Sequence, residues 1–321
     1  MPRASLIRPI AITAFLLCFV VVVLGAYVRL SDAGLGCPDW PGCYGHVTPA
    51  GAISAADSSG GTIDGATVDA GKAWKEMVHR YAAGTLGVLI IGIGALAVQT
   101  RQLKIVSLTY AGVLVGLVIA QGILGMLTVT ERLQPVIVTS HLLLGLTTLS
   151  ALWWLVLTLG RRQASAWRGS TAFLGSSLSR TRQFALLGLI ALAMQIALGG
   201  WTSSHYAAIG CPDFPKCQGA WWPVMSGSAG IAFAHRLGAL FATAMLVMAS
   251  ARVLRSRSDP FARRTALAVL AALLLQLTIG IEMVRHAFPL WLATAHSAGA
   301  ALLLLTVVAL NRSLRPAWKA Y

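Results

Sequence analysis

The stretch Gly36-Cys37-Pro38-Asp39-Trp40-Pro41-Gly42-Cys43 has a near copy in the second half of the chain, Gly210-Cys211-Pro212-Asp213-Phe214-Pro215-Lys216-Cys217. Each copy is followed, after a gap, by an Ala- and Gly-rich apolar segment that opens on a His-Arg pair, His79-Arg80 or His235-Arg236. A motif that recurs together with the segment after it indicates an internally duplicated chain. Features that both copies share are expected to be scaffold or common ligand chemistry, and a feature of one copy alone is the better candidate for a reactive centre.

The composition of the 321 residues predicts a polytopic membrane protein. Hydrophobic residues make up 57% of the chain, charged residues make up 11%, and the mean hydropathy is +0.74. Apolar runs of about 20 residues, the length that crosses a bilayer core about 30 Å thick, occur eight times. They lie near residues 9–29, 75–98, 106–128, 135–158, 181–201, 229–250, 264–284 and 288–309. The first run follows basic residues as a signal peptide would, but it is too long and no small-residue cleavage site follows, so we predict a retained span.

The formal net charge of +15 is explained by topology. With an inside amino terminus, most of the 25 Lys and Arg residues fall in inner segments, and every acidic residue except Asp259 falls on the other side or at its boundary. The positive-inside rule then predicts cytoplasmic N and C termini, with anionic lipid headgroups beside the basic surface. We therefore expect a multi-pass protein of the cell membrane with its cysteine loops on the extracytoplasmic side and no nucleic-acid partner.

The repeat divides the chain into two halves of four spans each. The expected units are an N-terminal half, residues 1–160, a cytoplasmic basic linker, residues 161–182, and a C-terminal half, residues 183–321. Because both halves enter the membrane from the same side, we predict an all-α fold of two tandem four-helix bundles related by a pseudo-two-fold axis along the membrane normal. The first outer loop is longer than the second, and residues 50–70, which are rich in Gly, Ala, Ser and Asp, are expected to be a flexible insertion.

Four of the five cysteines form two outer pairs, Cys37 with Cys43 and Cys211 with Cys217. Each pair is C-x5-C with two prolines between, a tight loop that brings the sulfurs near bridging distance in a compartment where disulfides persist. A structural staple is the first interpretation, and a redox-active or ligand-handling disulfide is the alternative. Zinc is disfavoured because neither pair has a second C-x-x-C or a His pair nearby. Cys18, inside the first span, is expected to be a packing residue.

Three spans carry a glutamine four residues before a glycine: Gln121-x3-Gly125, Gln195-x3-Gly199 and Gln276-x3-Gly280. Small residues at such places let helices approach closely, and a glutamine inside a span needs a polar partner. Close packing is the favoured interpretation of the motif, and a bond across helices or to the edge of a ligand is the alternative.

Four of the seven histidines, His79, His141, His235 and His296, lie inside even-numbered spans at a common depth of about 7–12 Å below the outer boundary. Ionisable side chains inside a membrane are costly and usually functional. Zinc or non-haem iron would need carboxylates or cysteines beside the imidazoles. Two histidines on facing helices among apolar side chains suit the axial positions of haem, so we predict one bis-histidine site per half, His79 with His141 and His235 with His296.

One carboxylate breaks the symmetry of the two predicted sites. Glu76 lies one helical turn before His79 on the same face, whereas its counterpart in the second half is Ala232. A carboxylate beside a haem pocket can take a proton or stabilise a developing cation, and the alternative is a glutamate solvated in the outer loop. Arg80 and Arg236 follow the first ligand of each pair, where they could meet haem propionates or lipid headgroups. The asymmetry predicts a reactive N-terminal half and an electron-carrying C-terminal half.

Taken together, these residues resemble the heme A synthase family over essentially the whole chain. The resemblance rests on eight spans, paired outer cysteines in each half, Glu76-x-x-His79-Arg80, Thr139-x-His141, His235-Arg236 and Thr294-x-His296. It implies an oxidoreductase that converts a methyl group of haem o to the formyl group of haem a for terminal oxidases. A haem o synthase upstream and a terminal oxidase downstream are the partners that it implies.

The resemblance also implies roles for the site residues. His79 and His141 would hold the substrate haem, and Glu76 would serve the chemistry. His235 and His296 would hold a haem b cofactor, and the disulfide Cys37–Cys43 would act in activity or haem handling. Removing electrons from the methyl group leaves a cation that water can capture, and Glu76 could stabilise that cation or deprotonate the water.

Two other functions stay open at this point. A bis-haem b quinol oxidoreductase would use the same four histidines for electron transfer alone and would not need Glu76. A haem carrier or chaperone would use one half as a transient site and the outer disulfide for docking.

Overall fold

The computed structural model describes residues 2–58, 61–63, 66–103, 105–165, 176–256 and 259–315. Within these ranges the chain forms nine α-helices and one two-stranded hairpin. The helices are α1 (Pro2–Leu30), α2 (Pro49–Ser58), α3 (Ala70–Gln99), α4 (Leu108–Thr130), α5 (Pro135–Ser165), α6 (Ser176–Ser204), α7 (Gly227–Arg255), α8 (Pro260–Arg285) and α9 (Leu290–Ser313), and the strands are β1 (Thr62–Ile63) and β2 (Ala66–Thr67). Helices α5 and α6 extend into the expected linker 161–182, and residues 166–175 of that linker lie outside the described residues.

Among the described helices, the eight other than α2 are long and apolar enough to cross a membrane. They coincide with the eight predicted runs, so the number and the place of the spans are confirmed. The first apolar helix begins earlier than the run near 9–29 and continues through Pro9. Proline removes one backbone donor, which membrane helices tolerate where neighbouring groups satisfy the freed carbonyl. Composition alone therefore placed this helix start too late.

The first outer loop is folded over part of its length, so the expectation of a flexible segment over residues 50–70 is wrong there. Helix α2 buries Pro49, Ala52 and Ala56 and contacts α3. Ala52 and Ala56 are one turn apart, and their small side chains let α2 lie close to its neighbour. Strands β1 and β2 pair antiparallel immediately afterwards. The Gly, Ala and Ser content of the segment hid this short apolar stripe.

The helices of the two halves pack in the same order. In the first half α1 contacts α3, α3 contacts α4, and α4 contacts α5; in the second half α6 contacts α7, α7 contacts α8, and α8 contacts α9. Between the halves, α1 packs on α9, α5 packs on α6, and α5 also packs on α9. One apolar core therefore runs through both halves, and its fully buried side chains include Leu149, Leu152, Leu246, Val253 and Leu310.

Polar contacts join the halves at the end of the bundle that carries the cysteine loops. Nη2 of Arg29 donates to the carbonyl of Ser203 at 3.2 Å, and its guanidinium lies 4.1 Å from the ring centroid of Tyr206. The Tyr206 hydroxyl donates to Oδ1 of Asp32 at 3.1 Å. Tyr206 and Asp32 are 174 residues apart, which is the offset between Cys37 and Cys211. Equivalent positions of the repeat therefore meet each other at the junction of the halves.

Candidate functional site

Both outer cysteine pairs form disulfides, as predicted. The S–S distance is 2.02 Å for Cys37–Cys43 and 1.91 Å for Cys211–Cys217. All four cysteines are fully buried beneath their loops. Each disulfide packs on the second membrane-spanning helix of its half, α3 in the first and α7 in the second. The loops thus cover the N-terminal ends of the helices that carry His79 and His235.

The aspartate of the repeated motif fixes each loop by accepting two backbone hydrogen bonds. Asp39 accepts from the N–H groups of Tyr44 at 2.6 Å and Gly45 at 2.8 Å. Asp213 makes the same two bonds at 2.6 and 2.9 Å. These donors, first of all the N–H of Gly219, hold the pKa of the Asp213 carboxyl below its ordinary value. Sequence reasoning missed this role, although the aspartate stands at the same place in both copies.

An arginine beneath each disulfide loop ties the loop to its helix. Nη1 of Arg80 donates to the carbonyl of Gly42 at 2.6 Å. Arg236 donates to the carbonyls of Lys216 and Cys211, both at 2.7 Å. Guanidinium groups suit this task because their several N–H donors have a fixed geometry. The expected propionate contacts of the two arginines stay a prediction.

Glu76 is buried under the first loop with 4% of its surface exposed, so the alternative of a solvated loop glutamate is wrong. Oε1 accepts from Nη2 of Arg80 at 2.6 Å, and Oε2 accepts from the N–H of Cys37 at 2.9 Å. In the second half the buried methyl group of Ala232 packs against the disulfide at the corresponding place. The carboxylate therefore links the first disulfide loop to the helix that carries His79, and the second half has no equivalent link.

One cavity of about 1870 Å³ is lined by all four membrane histidines and by Glu76. A typical small-molecule site is about 300–1,000 Å³, so this cavity is larger than one ordinary ligand needs. His79, His141, His235 and His296 lie on α3, α5, α7 and α9, each within the first three turns of its helix. The structure brings the four predicted ligands to one apolar cavity that reaches into both halves.

Each of these imidazoles lies against a glycine of the neighbouring helix, where a side chain would collide with the ring. The pairs, with the distance from an added Cβ to ring Cε1, are Gly25 with His79 (2.9 Å), Gly125 with His141 (3.3 Å), Gly199 with His235 (3.0 Å) and Gly280 with His296 (2.9 Å). Contacts this short force a shift of the neighbouring atoms. The four glycines therefore shape four equivalent imidazole sites.

Three of the four histidines also contact a glutamine of that neighbouring helix. In each pair, Nε2 of the glutamine donates to the backbone carbonyl of the histidine. The distance is 3.0 Å for Gln121 and His141, 3.0 Å for Gln195 and His235, and 3.1 Å for Gln276 and His296. The same Nε2 atoms lie 3.3, 3.1 and 3.2 Å from a ring nitrogen of those histidines. Both interpretations of the motif are confirmed, because the glutamine bonds across helices and the glycine packs closely against the imidazole.

Several buried polar atoms that line this cavity have no hydrogen-bond partner among the described residues. They include Nδ1 of His141 and Oε1 of Gln121, Gln195 and Gln276. Buried polar atoms are normally paired, so an exception indicates a partner of another kind. An imidazole that binds a metal through Nε2 carries a proton on Nδ1 and donates it to a neighbouring oxygen. Paired imidazoles, orphaned amide oxygens and an apolar cavity fit haem.

Comparison with known proteins agrees with this geometry. The COX15-CtaA family, described as cytochrome oxidase assembly protein, matches residues 8–308. Heme A synthase of Shewanella oneidensis is 38% identical over 317 residues, which cover 91% of each chain. Heme A synthase of Caulobacter sp. (strain K31) is 29% identical over 95% of each chain, and that of Paracoccus denitrificans is 27% identical over 94% of this chain and 86% of its own. The chain therefore belongs to the COX15-CtaA family of cytochrome oxidase assembly proteins.

Proposed function

We propose that this protein is a heme A synthase that oxidises a methyl substituent of haem o to the formyl group of haem a. The observation that carries the proposal is one cavity lined by four matched imidazoles and one unmatched carboxylate. Relatives that cover nine tenths or more of the chain are named heme A synthase, which supports the same activity. A duplicated haem protein for electron transfer alone would not need a carboxylate in one half only.

The N-terminal half binds the substrate, and the C-terminal half binds the cofactor. His79 and His141 hold the substrate haem in the N-terminal half, beside Glu76. His235 and His296 hold haem b in the C-terminal half. The counterpart of Glu76 there is the buried Ala232, which has no charged or acid–base group. Haem b supplies a one-electron acceptor when it is bound.

Converting the methyl group to a formyl group consumes one water and releases four electrons and four protons. Glu76 contributes its negative charge beside the substrate and favours positive charge that develops at the methyl carbon. Both carboxylate oxygens have partners, Arg80 and the N–H of Cys37, so the side chain is held in place before the reaction. Each oxygen keeps a further lone pair beside its present hydrogen bond, so Glu76 can also accept a proton from the attacking water.

The membrane arrangement belongs to the same proposal. The units are residues 1–160, the basic linker 161–182 and residues 183–321, with the two bundles related by a pseudo-two-fold axis along the membrane normal. Three contacts between the halves support this axis. Helix α1 contacts α9, the equivalent pair α6 and α5 are also in contact, and Asp32 pairs with Tyr206. We place both termini in the cytoplasm of the cell and the disulfide loops outside the cell membrane, because the basic residues concentrate at the other end of the spans.

The proposed reaction implies one enzyme before it and one after it. A haem o synthase must supply the substrate, and a terminal oxidase must take up the product. Haem b, when bound, would supply the one-electron chemistry, and an acceptor outside this chain would take up the electrons.

Pigment analysis tests the proposal. The protein is expressed in cells that make haem o, purified, and its haems are extracted and separated by chromatography. We expect haem b together with haem o or haem a, and we expect Glu76→Ala to retain haem b and to lose haem a. Two firmly held b haems without haem a would overturn the synthase in favour of a quinol oxidoreductase, and weakly held haem without oxidation would favour a haem carrier.

A further inference from the structure

The cavity reaches further along the helices of the first half than along those of the second. In the first half it is lined by Ile91 on α3 and Ile119 on α4, and both side chains are more than half exposed on the outside of the bundle. Their counterparts among the described residues of the second half, Val247 and Leu274, do not line it. The first half therefore has an extension of the cavity that the second half lacks.

Glycines leave room for this extension. Gly84 and Gly87 lie on the same face of α3 as Ile91, and Gly122 lies on the same face of α4 as Ile119. All three glycines line the cavity, and a Cβ added at Gly84 or Gly122 would meet no atom within 4 Å. These five residues line the space that we call the α3–α4 groove.

Larger side chains occupy the corresponding positions of the second half. The three pairs, at the offsets that relate His79 to His235 and Gln121 to Gln276, are Gly84 and Leu240, Gly87 and Thr243, and Gly122 and Leu277. Leu240 and Leu277 both line the cavity, and Leu277 also packs against the buried core. Side chains thus stand in the second half where the first half has open space.

The α3–α4 groove is continuous with the candidate haem site. Gln121, which contacts His141, is the residue immediately before Gly122. Its buried Oε1 has no partner among the described residues and indicates a ligand at this level of the cavity. The groove therefore begins where the ligand is expected and is not a separate feature of the surface.

The groove is long, and it runs along α3 away from Glu76. Glu76 precedes His79, whereas Gly84, Gly87 and Ile91 follow it, and the twelve residues from His79 to Ile91 correspond to about 18 Å of helix.

Beyond Ile91, helices α3 and α4 close on each other. A Cβ added at Gly94 would lie 3.1 Å from Cγ2 of Val115, and neither residue lines the cavity. The groove is therefore an elongated space that ends inside the membrane-spanning part of the helices.

The lining of the groove suits an apolar chain, because glycine and isoleucine side chains offer no hydrogen bond and no charge. Haem o and haem a both carry a long isoprenoid chain on the macrocycle, and haem b lacks it. Oxidation of a methyl group leaves that chain in place. Under the proposed function, the N-terminal half binds haems with the chain and the C-terminal half binds a haem without it.

We propose that the α3–α4 groove binds the isoprenoid chain of haem o, and that Leu240 and Leu277 exclude such a chain from the C-terminal half. The inference rests on the proposed function and adds the group by which each half selects its haem. The chain extends away from Glu76 and leaves the space beside the carboxylate to the reacting methyl group. The exposed Ile91 and Ile119 place the open side of the groove toward lipid, from which the chain enters.

Haem titration tests the inference. The protein is produced in cells that make no haem o, so that the second half holds haem b and the first site is free, and it is purified in detergent. Haem o and haem b are then titrated separately and followed by absorption, which gives the ratio of their dissociation constants at the first site. The test variant is Gly84→Leu with Gly122→Leu, which gives the groove the two leucines of the second half.

The matched control is Gly92→Leu with Gly116→Leu. These glycines are on the same two helices, an added Cβ at either meets no atom within 4 Å, and neither lines the cavity.

We expect the wild-type first site to bind haem o more tightly than haem b. Overfilling an apolar site weakens binding by about five- to 150-fold, so the test variant should lose about that factor in affinity for haem o. Its affinity for haem b should change little, because haem b has no chain to displace. The control should keep the preference of the wild type.

The outcomes separate this inference from the function on which it rests. An unchanged preference for haem o in a test variant that retains haem b in its second half would overturn the groove and leave the synthase proposal standing. Equal loss of preference in the control would contradict it as well. Failure of the wild-type first site to bind either haem would overturn the proposed substrate site itself. If the double variant misfolds, Gly122→Val alone keeps the test, because wild-type preference in that variant contradicts the groove.

Discussion

The proposed haem sites of the first and second halves are alike on one side and differ on the other. On the shared side, α4 with α5 and α8 with α9 present the same glutamine, glycine and histidine. On the other side, α1 and α3 of the first site differ from α6 and α7 of the second at several buried or half-buried positions. Among them are Glu76 against Ala232, Val21 against Gln195, and Ala82 against Gly238. The difference teaches that duplication supplied two similar pairs of imidazoles and that changes on one helix pair distinguish them.

Removing a histidine from either site should give the largest effect. His79→Ala and His235→Ala each leave a haem with one axial ligand, so we expect haem a formation to be lost in both. The two variants should differ in what remains: His79→Ala keeps a stable bis-histidine haem b, whereas His235→Ala does not. Haem content and the absorption spectrum of the purified proteins measure this. A stable second haem in His235→Ala would contradict the division into a substrate site and a cofactor site.

Replacing Glu76 should give the second largest effect. Replacing an electrostatic or acid–base group at a reacting centre lowers rates by about 10²-fold or more, so Glu76→Ala should make little haem a while haem o accumulates. Glu76→Gln keeps an acceptor for the N–H of Cys37 and removes the charge. We expect Glu76→Gln to be as impaired as Glu76→Ala.

The matched control for Glu76 is Ala232→Glu, which places a carboxylate in the second half. Under the proposed function it should not create a second reactive site, because the second half would hold haem b as a cofactor and not the substrate. The ratio of haem a to haem o is the measurement. Activity of Glu76→Gln close to wild type would mean that Glu76 serves to hold the disulfide loop and not to stabilise charge.

The glycines under the imidazoles test what the two sites share. Gly25→Ala and Gly199→Ala each put a methyl group within about 3 Å of a ring, and such overpacking typically costs about 1–3 kcal/mol. We expect both to lower haem affinity in their own half, to a similar extent. Gly92→Ala on α3 is the control, because a Cβ there meets no atom within 4 Å and Gly92 lies outside the lining of the cavity. Haem retention on gel filtration measures the effect, and equal losses in all three variants would contradict a specific support of the rings.

Much of this comparison could be predicted from the sequence, because spans and repeats leave strong linear signals. Eight apolar runs and two C-x5-C loops were enough to predict the spans and the disulfides. From the four histidines we predicted one site in each half, and not the single cavity that all four imidazoles line. The valine at residue 21 could not be recognised as a missing glutamine, since an apolar residue in a span is ordinary until its spatial neighbour is known. The fold of α2 escaped prediction for a related reason, because two alanines one turn apart are a weak signal in a small-residue loop.

Replacing the aspartate of a disulfide loop should give the smallest effect, and for the second loop pH reveals the same contact. The pKa of Asp213 is lowered in the folded loop, so its hydrogen bonds stabilise the loop above the unfolded value of about 3.9 and are lost as pH falls through the lower folded pKa. Protection of the Gln218 and Gly219 amides from hydrogen exchange should therefore be constant from neutral pH down to about 4 and fall below it. Asp213→Asn should weaken this protection even at neutral pH, without affecting the first loop. Asp39→Asn should weaken protection of the Tyr44 and Gly45 amides, without affecting the second loop. Protection that falls while Asp213 is still ionised would show that another group holds the second loop.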